Sequence, residues 1–360
     1  MKFTGTESIE KMLPGYQGLE LVGSGKYGHV FKCVDLASQK HVCLKLLLDD
    51  RDSGEQEVNF LKQLQHPNIV QLIDTIESPQ LFGLVSPYAA YGDLRSYMNR
   101  NGGCLLWTEI KLFFRQILSA VSYCHQQGIV HGDLKLSNML VLSPARLVVA
   151  DWGCATAWSP TAKQTFRHGT YEYAAPELWT HEPHYGPERD VWALGVILYV
   201  MMHARFPFSG ASLYELRSHI LSGSMHCPSA MSEEEQQLFR SIFTNKEERA
   251  TVEQIEACAL LNSSDIDDYQ RCRLAIKKPP PCKRCSRSAF SDIDRPLCAA
   301  GKHRRFQRRN SSSAVEASPV SCFPFKSLCT RLKPAVEEGL DGSIRNVLLP
   351  IPEKEVNCSP

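Results

Sequence analysis

Two short apolar stretches, Leu19–Val22 and Phe31–Val34, flank a glycine-rich segment, Gly23-Ser24-Gly25-Lys26-Tyr27-Gly28-His29-Val30. That order predicts strand, turn, strand. β-Branched and aromatic residues resume directly after the glycines, where a dinucleotide-binding fold would open a helix. Val42-Cys43-Leu44-Lys45 predicts a further strand with Lys45 on one alternating face. Phe60, Leu61 and Leu64 then recur at helical spacing, with Glu57 one turn before Leu61. Pro67 ends that helix, because proline disfavours helical geometry in the residue before it. The longest apolar run, Val191–Met202, suits a buried helix and is too short to cross a bilayer. After about residue 262 the periodicity stops: Lys277-Lys278-Pro279-Pro280-Pro281 breaks it, and later stretches are rich in Ser, Pro and Arg. Residues 263–360 therefore read as a mostly disordered tail with little apolar surface to offset the entropy of ordering. No internal repeat is visible.

Composition changes this picture in three ways. At 360 residues with 43% hydrophobic content, the chain can bury a substantial core. Its net charge of +1 gives no global attraction for nucleic acid, and no DNA-binding domain is expected. The opening Met1-Lys2-Phe3-Thr4-Gly5-Thr6 lacks an apolar secretory stretch. The 14 cysteines are then expected to be reduced thiols in cytoplasm or nucleus, with Cys33, Cys43 and Cys124 in the core.

The densest chemistry lies in His131-Gly132-Asp133-Leu134-Lys135-Leu136-Ser137-Asn138, succeeded after one short apolar run by Asp151-Trp152-Gly153. A carboxylate base, a cation and two oxygen ligands for a metal suit phosphoryl transfer from a magnesium nucleotide, where positioning and charge neutralisation make up most of the catalysis. The glycines at 23, 25 and 28 let backbone approach phosphate closely, because a Cβ would intrude and positive φ would be costly. Alone that spacing is a weak signal. Together, these segments resemble the eukaryotic protein kinases, with their H-R-D-L-K-x-x-N catalytic loop, D-F-G metal loop, G-x-G-x-x-G loop and V-A-I-K strand. The resemblance covers roughly residues 16–260. It implies an α+β fold of two lobes, a small β-rich N-lobe at 16–88 and a larger helical C-lobe at 89–262.

The resemblance also implies roles. Asp133 orients or accepts the substrate hydroxyl proton, and Lys135, as in Ser/Thr rather than Tyr kinases, neutralises charge on the phosphoryl group. Asn138 and Asp151 hold Mg²⁺, a hard ion that uses few carboxylates. Lys45 meets the nucleotide's α- and β-phosphates and is held by Glu57, with Glu55 as a competitor. The ATP pocket takes Gly23, Ser24, Gly25, Lys26, Tyr27 and Gly28 over the phosphates, Val30, Cys43 and Leu140 as apolar walls, and Pro87 and Ala89 as hinge residues. Proline suits the first hinge position, where only a carbonyl is required. Ser86 falls at the gatekeeper position, implying a deep pocket open to bulky inhibitors.

Gly169-Thr170-Tyr171-Glu172-Tyr173-Ala174-Ala175-Pro176-Glu177 looks like the end of an activation segment, with Thr170 contacting Asp133 and Lys135. Asp190, in Asp190-Val191-Trp192-Ala193-Leu194-Gly195, is implied to accept backbone N–H groups of the catalytic loop. Glu177 is implied to pair with Arg249. The segments 185–200, 206–208 and 249–255 are similar to the calcium/calmodulin-dependent and AMP-activated-kinase-related group, whose members often prefer basic residues upstream of the phosphoacceptor. Asp93 reads equally as an acid for ribose or a substrate arginine and as a solvated helix cap.

Three letters depart from the family: Gly132 for the arginine, Trp152 for the phenylalanine and the small Ser86. Without the guanidinium fork at 132, a phosphate clamp on the activation segment is missing. Activity is then expected to depend little on phosphorylation there, although Thr156, Ser159, Thr161 and Thr165 are present. A pseudokinase scaffold or nucleotide-binding regulatory module is the rival reading. None of Lys45, Glu57, Asp133, Asn138 or Asp151 is replaced, which argues against it. A small-molecule kinase is a weaker rival, opposed by the complete 169–177 segment.

In the tail, Cys282-Lys283-Arg284-Cys285 is half a zinc-site pattern, weak without a second pair. The basic run Lys302–Arg309 reads as a solubilising tail, an import signal, a contact for acidic lipid or a pseudosubstrate. Ser311, after Arg308-Arg309-Asn310, is a candidate phosphorylation site.

Overall fold

A computed structural model describes residues 9–25, 28–47, 51–78, 81–159, 161, 169–180 and 186–262. The expectations for Lys26, Tyr27, Thr165, Ser311 and the 263–360 tail lie outside these residues.

The N-terminal part contains β1 (Tyr16–Gly25), β2 (Gly28–Asp35), β3 (Lys40–Leu47), α1 (Arg51–Gln63), β4 (Asp74–Glu77) and β5 (Phe82–Pro87). The five strands form one antiparallel sheet in the order β1-β2-β3-β5-β4. Alternation sends Val42, Leu44 and Leu46 of β3 into a core shared with Leu19, Phe31, Cys33 and Val85. Cys43 and Lys45 consequently face the other way. Register completes that second face, since Val30 pairs with Lys45 and Ser86 pairs with Cys43, and residues directly opposite share a face. The glycine at 28 has a reason beyond phosphate access. Its φ is +150°, and a Cβ there would collide with the carbonyl oxygen of Leu46 on β3.

α1 begins at Arg51 and stops at Gln63, short of His66-Pro67, and buries Gly54, Glu57, Val58 and Leu61. The helical C-terminal part comes next, with α2 (Leu94–Arg100), α3 (Trp107–Gln126), β6 (Ile129–Val130), the hairpin β7 (Met139–Ser143) and β8 (Arg146–Val149), and β9 (Thr156–Ala157). The last segments are α4 (Pro176–Thr180), α5 (Pro187–His203), α6 (Leu213–Ser222), α7 (Glu233–Ile242), α8 (Val252–Glu256) and α9 (Ala259–Asn262). β6 pairs with β9, tying the catalytic-loop end of the chain to the segment after Asp151.

α5 is the axis of this half. Every residue from Arg189 to Met202 is buried, as expected for a helix apolar on all sides. Pro187 opens it, where its missing N–H costs nothing. Asp93 caps α2: its two carboxylate oxygens accept from the Ser96 N–H and hydroxyl, each at 2.8 Å. Cys33 and Cys124 are buried as expected, whereas Cys43 is only partly covered. Among the described residues no helix is long and apolar enough to cross a membrane.

The strongest fixed charge contact is buried between α4 and the chain before α8. Arg249 donates bidentately to Glu177 at 2.7 and 3.0 Å and to the carbonyls of Glu188 and Thr244 at 2.7 and 3.0 Å. The two side chains are 0% and 3% exposed. Removing one partner strands the other charge away from water. Glu177→Ala is expected to lower unfolding free energy by about 3–5 kcal/mol in urea denaturation, and adding Arg249→Met should recover part of that loss.

Candidate active site

Lys45 is the meeting point of three elements. From β3 its Nζ reaches Glu57 Oε2 on α1 at 2.8 Å and Asp151 Oδ1 at 2.6 Å. Glu57 is one helical turn before the buried Leu61 and is itself 4% exposed. Its second oxygen accepts the Trp152 N–H at 3.1 Å, so α1 and the 151–153 segment are linked through one carboxylate. Glu55, the competitor, instead pairs with Arg51 at 2.8 Å on the exposed side of the helix.

The electrostatics of this triad result from burial. Burial disfavours the Lys45 ammonium, yet Glu57 and Asp151 more than offset it and hold its pKa above the ordinary lysine value. A single ammonium divided between two carboxylates cannot serve both equally. Glu57 is the more enclosed, its side chain 5% exposed against 37% for Asp151. Burial raises the Glu57 pKa despite Lys45; for Asp151 burial pushes up, but Lys45 outweighs it and the pKa is lowered. Asp151 thus remains a carboxylate with φ +65° and an outer edge open to a ligand.

The catalytic-loop segment forms a second cluster. Lys135 Nζ lies 2.6 Å from Asp133 Oδ2 and 3.2 Å from Thr170 Oγ1. Thr170 donates to Asp133 Oδ1 at 2.9 Å, closing a three-residue ring across 37 positions of sequence. Burial works against the Lys135 charge, but adjacent Asp133 more than compensates and its pKa is raised. Asn138 donates its Nδ2 to the Asp133 carbonyl at 2.8 Å, which leaves its Oδ1 as an acceptor. Its own carbonyl takes the Ala150 N–H at 2.8 Å, fastening it beside Asp151. Two hard oxygen donors on linked segments fit Mg²⁺, an ion that keeps several waters and uses one or two carboxylates with phosphate oxygens.

The nucleotide-side residues fall on one surface. Val30, Cys43, Lys45 and Ser86 share a sheet face, and Cys43 is close enough to hydrogen-bond Ser86. Burial raises the Cys43 thiol pKa, with Ser86 and Lys45 opposing. After Pro87 the chain turns through buried Ala89, whose carbonyl accepts from Gly92 at 2.9 Å. A bridge between Asp93 and Leu140 then sets the hinge beside β7. Gly23, Ser24, Gly25 and Gly28 lie at the β1–β2 end, paired across the two strands.

Further contacts complete the site, some of them, through Gln56, His125 and Arg189, from residues given no role in the sequence. His131 packs on Trp152 with ring centroids 4.6 Å apart and contacts the Ala150 carbonyl at 3.1 Å. Gln56 donates to the Ala155 carbonyl at 3.1 Å, a second link from α1. Asp190 Oδ2 accepts the His131 N–H at 2.8 Å and contacts His125 Nε2 at 3.0 Å, while Oδ1 accepts the Gly132 N–H at 2.9 Å. Arg189 donates to the Gly132 carbonyl. Sequence reasoning gave Arg189 no role; its only signal was a basic residue beside Asp190 in an otherwise apolar helix.

Comparison with known proteins agrees with this geometry. A family model described as protein kinase domain matches residues 16–260. Sperm motility kinase 2B of Mus musculus is 35% identical over 251 residues, which is 69% of this chain and 52% of that protein. NUAK family SNF1-like kinase 1 of Homo sapiens is 34% identical over 248 residues, 67% of this chain and 37% of that protein. The chain therefore spans about half, or less, of the length of these relatives.

Asp190 allows a pH test. Burial pushes its carboxyl up, but His125, His131 and the Gly132 N–H outweigh this and its pKa is lowered. A depressed carboxylate contributes stability that is present above the ordinary aspartate value of about 3.9 and is lost as pH falls through the folded value. Asp190→Asn is expected to be less stable at neutral pH and to lose stability less steeply than the parent below about pH 4. Urea unfolding across that range checks it; parallel curves would refute the depressed pKa.

Proposed function

The chain belongs to the protein kinase domain family, and from that premise we propose that it is a serine/threonine protein kinase acting on protein substrates with Mg-ATP. One observation carries the reading: the Lys45–Glu57–Asp151 contacts and the Asp133–Lys135–Thr170 ring are formed together on either side of Asn138. Lys45 is held to meet the α- and β-phosphates. Asp133 is held by Thr170 and Lys135 to receive the hydroxyl proton of a substrate Ser or Thr. Lys135 then stands beside the transferring phosphoryl group as a counter-charge. Asn138 and Asp151 would hold Mg²⁺, which when bound would neutralise charge developing on the phosphoryl group. The adenine would lie against Val30, Cys43, Ser86 and Leu140, with the Pro87 carbonyl and Ala89 N–H as hinge partners.

The finer reading keeps independence from activation-segment phosphorylation, motivated by Gly132. Preference for basic residues near the phosphoacceptor rests on similarity to the calcium/calmodulin-dependent and AMP-activated-kinase-related group. The basic tail is proposed to contact import receptors or acidic lipid, and cytoplasm or nucleus is the proposed location.

Radiolabel transfer from ATP to a basic serine peptide should exceed an Asp133→Asn blank by about 10²-fold or more. Equal rates would leave a nucleotide-binding scaffold as the function. Complete phosphatase treatment should change the parent rate less than about threefold, since Gly132 lacks the guanidinium fork that would clamp a phosphate there; a loss above about tenfold would refute the independence.

A further inference from the structure

Consecutive residues of α5 hold the Gly132 peptide from both ends. Asp190 takes its N–H at 2.9 Å, and Arg189 Nη2 donates to its carbonyl at 2.6 Å. The next N–H, that of Asp133, donates to His131 Nδ1 at 3.2 Å, so the backbone entering Asp133 is tied at successive groups. Arg189 is buried, 4% exposed, and desolvating a guanidinium is costly without compensating acceptors. Such a residue in the first turn of the central helix needs a reason.

The space around Gly132 supplies one. Its φ is +79°, and a Cβ there would lie 2.8 Å from the Cys154 carbonyl oxygen and 3.4 and 3.5 Å from Nη2 and Cζ of Arg189. A side chain at 132 would emerge into the volume that the guanidinium fills. Gly169 closes the other side, where a Cβ would lie 3.7 Å from the Gly132 oxygen and 3.8 Å from Arg189 Nη2. Thr170, the next residue, is the one bonded to Asp133 at 2.9 Å. The guanidinium therefore lies beneath the crossing of the catalytic loop and the 169–177 segment.

We propose that Arg189 is a positioning residue for phosphoryl transfer: it fixes the peptide that carries Asp133, and Gly132 is its matched partner, small so that this internal cation fits. The proposal rests on the kinase reading and deepens it. The cation at this crossing comes from α5 and donates to a backbone carbonyl of the catalytic loop, a contact that involves no phosphate.

The test uses the full chain as parent, Arg189→Met, Gly132→Arg and the double variant, with Arg189→Lys as the conservative replacement. Initial rates of peptide phosphorylation give kcat and the two KM values separately, and thermal unfolding is measured on every protein. Arg189→Met should lower kcat at least about tenfold with KM for ATP within about threefold, because the Lys45 triad is untouched. Arg189→Lys, which keeps one donor, should recover kcat at least about threefold over Arg189→Met. Gly132→Arg should cost at least about tenfold in the parent and at least about threefold less than that in the Arg189→Met background, where only the positive φ and the Cys154 contact still oppose a side chain, a coupling that independent sites do not show. A kcat within about twofold for Arg189→Met, or costs that multiply, would overturn the proposal. Should the parent fail to exceed its Asp133→Asn blank, the kinase reading fails. The pairing is then decided by unfolding temperature. A smaller loss for Gly132→Arg in the Arg189→Met background than in the parent supports it, and an equal loss overturns it. Should Arg189→Met not fold, the same cycle is run with Arg189→Lys.

Discussion

A single buried carboxylate, that of Asp190, fixes where chemistry can happen in this chain. It is anchored in a helix buried from Arg189 to Met202 and accepts the consecutive N–H groups of His131 and Gly132. Those two groups have no strand or helix partner of their own, and an unpaired buried N–H costs free energy. The loop therefore has one arrangement that satisfies its backbone, and that arrangement ends at Asp133. The placement of the base is in this sense a consequence of backbone hydrogen-bond accounting, with α5 as the rigid reference.

A chain of contacts links this reference to the N-terminal sheet. His131 leans on Trp152, whose N–H is held by Glu57, which also holds Lys45. A displacement of α1 would thus be felt at the nucleotide-side lysine and at the metal-side carboxylate together. Trp152 in place of phenylalanine keeps this stack filled, being fully buried, and adds an indole N–H that reaches the Val149 carbonyl at 3.4 Å. The larger plug is accommodated without leaving that donor unpaired.

Much of this was legible in the sequence because side-chain chemistry narrows the choices. Lys45, Glu57, Asp133, Asn138 and Asp151 each have a charge or amide in a short motif, and strand alternation alone puts Lys45 opposite the core. The Glu177–Arg249 pair was legible only through the family resemblance, since 72 residues separate the partners. Asp93 was ambiguous because a helix cap and a ligand-binding acid both use the same carboxylate, and the Ser96 contacts that show the cap form only in the fold. Arg189 was illegible for a deeper reason. Its contact to the catalytic loop is with a carbonyl, a group that every residue carries, so no side-chain pattern announces that contact. Gly28 was assigned to phosphate access, but its packing against the Leu46 carbonyl is a tertiary constraint invisible in a strand–turn pattern.

Charged groups in this molecule divide by exposure, and the division matches what each must do. The Glu177–Arg249 pair is almost wholly excluded from water, with four hydrogen bonds from the guanidinium. Exchanging its partners would require an uncompensated buried charge, so it acts as a fixed strut. Lys45 and Asp151 keep 22% and 37% of their side chains exposed, and Lys135 keeps 22%. Partial solvation weakens a Coulomb contact several-fold relative to the interior, so these groups can exchange partners at lower cost than the buried strut. Arg189 stands between the two classes: buried like the strut, yet donating to a neutral carbonyl of the loop that carries Asp133.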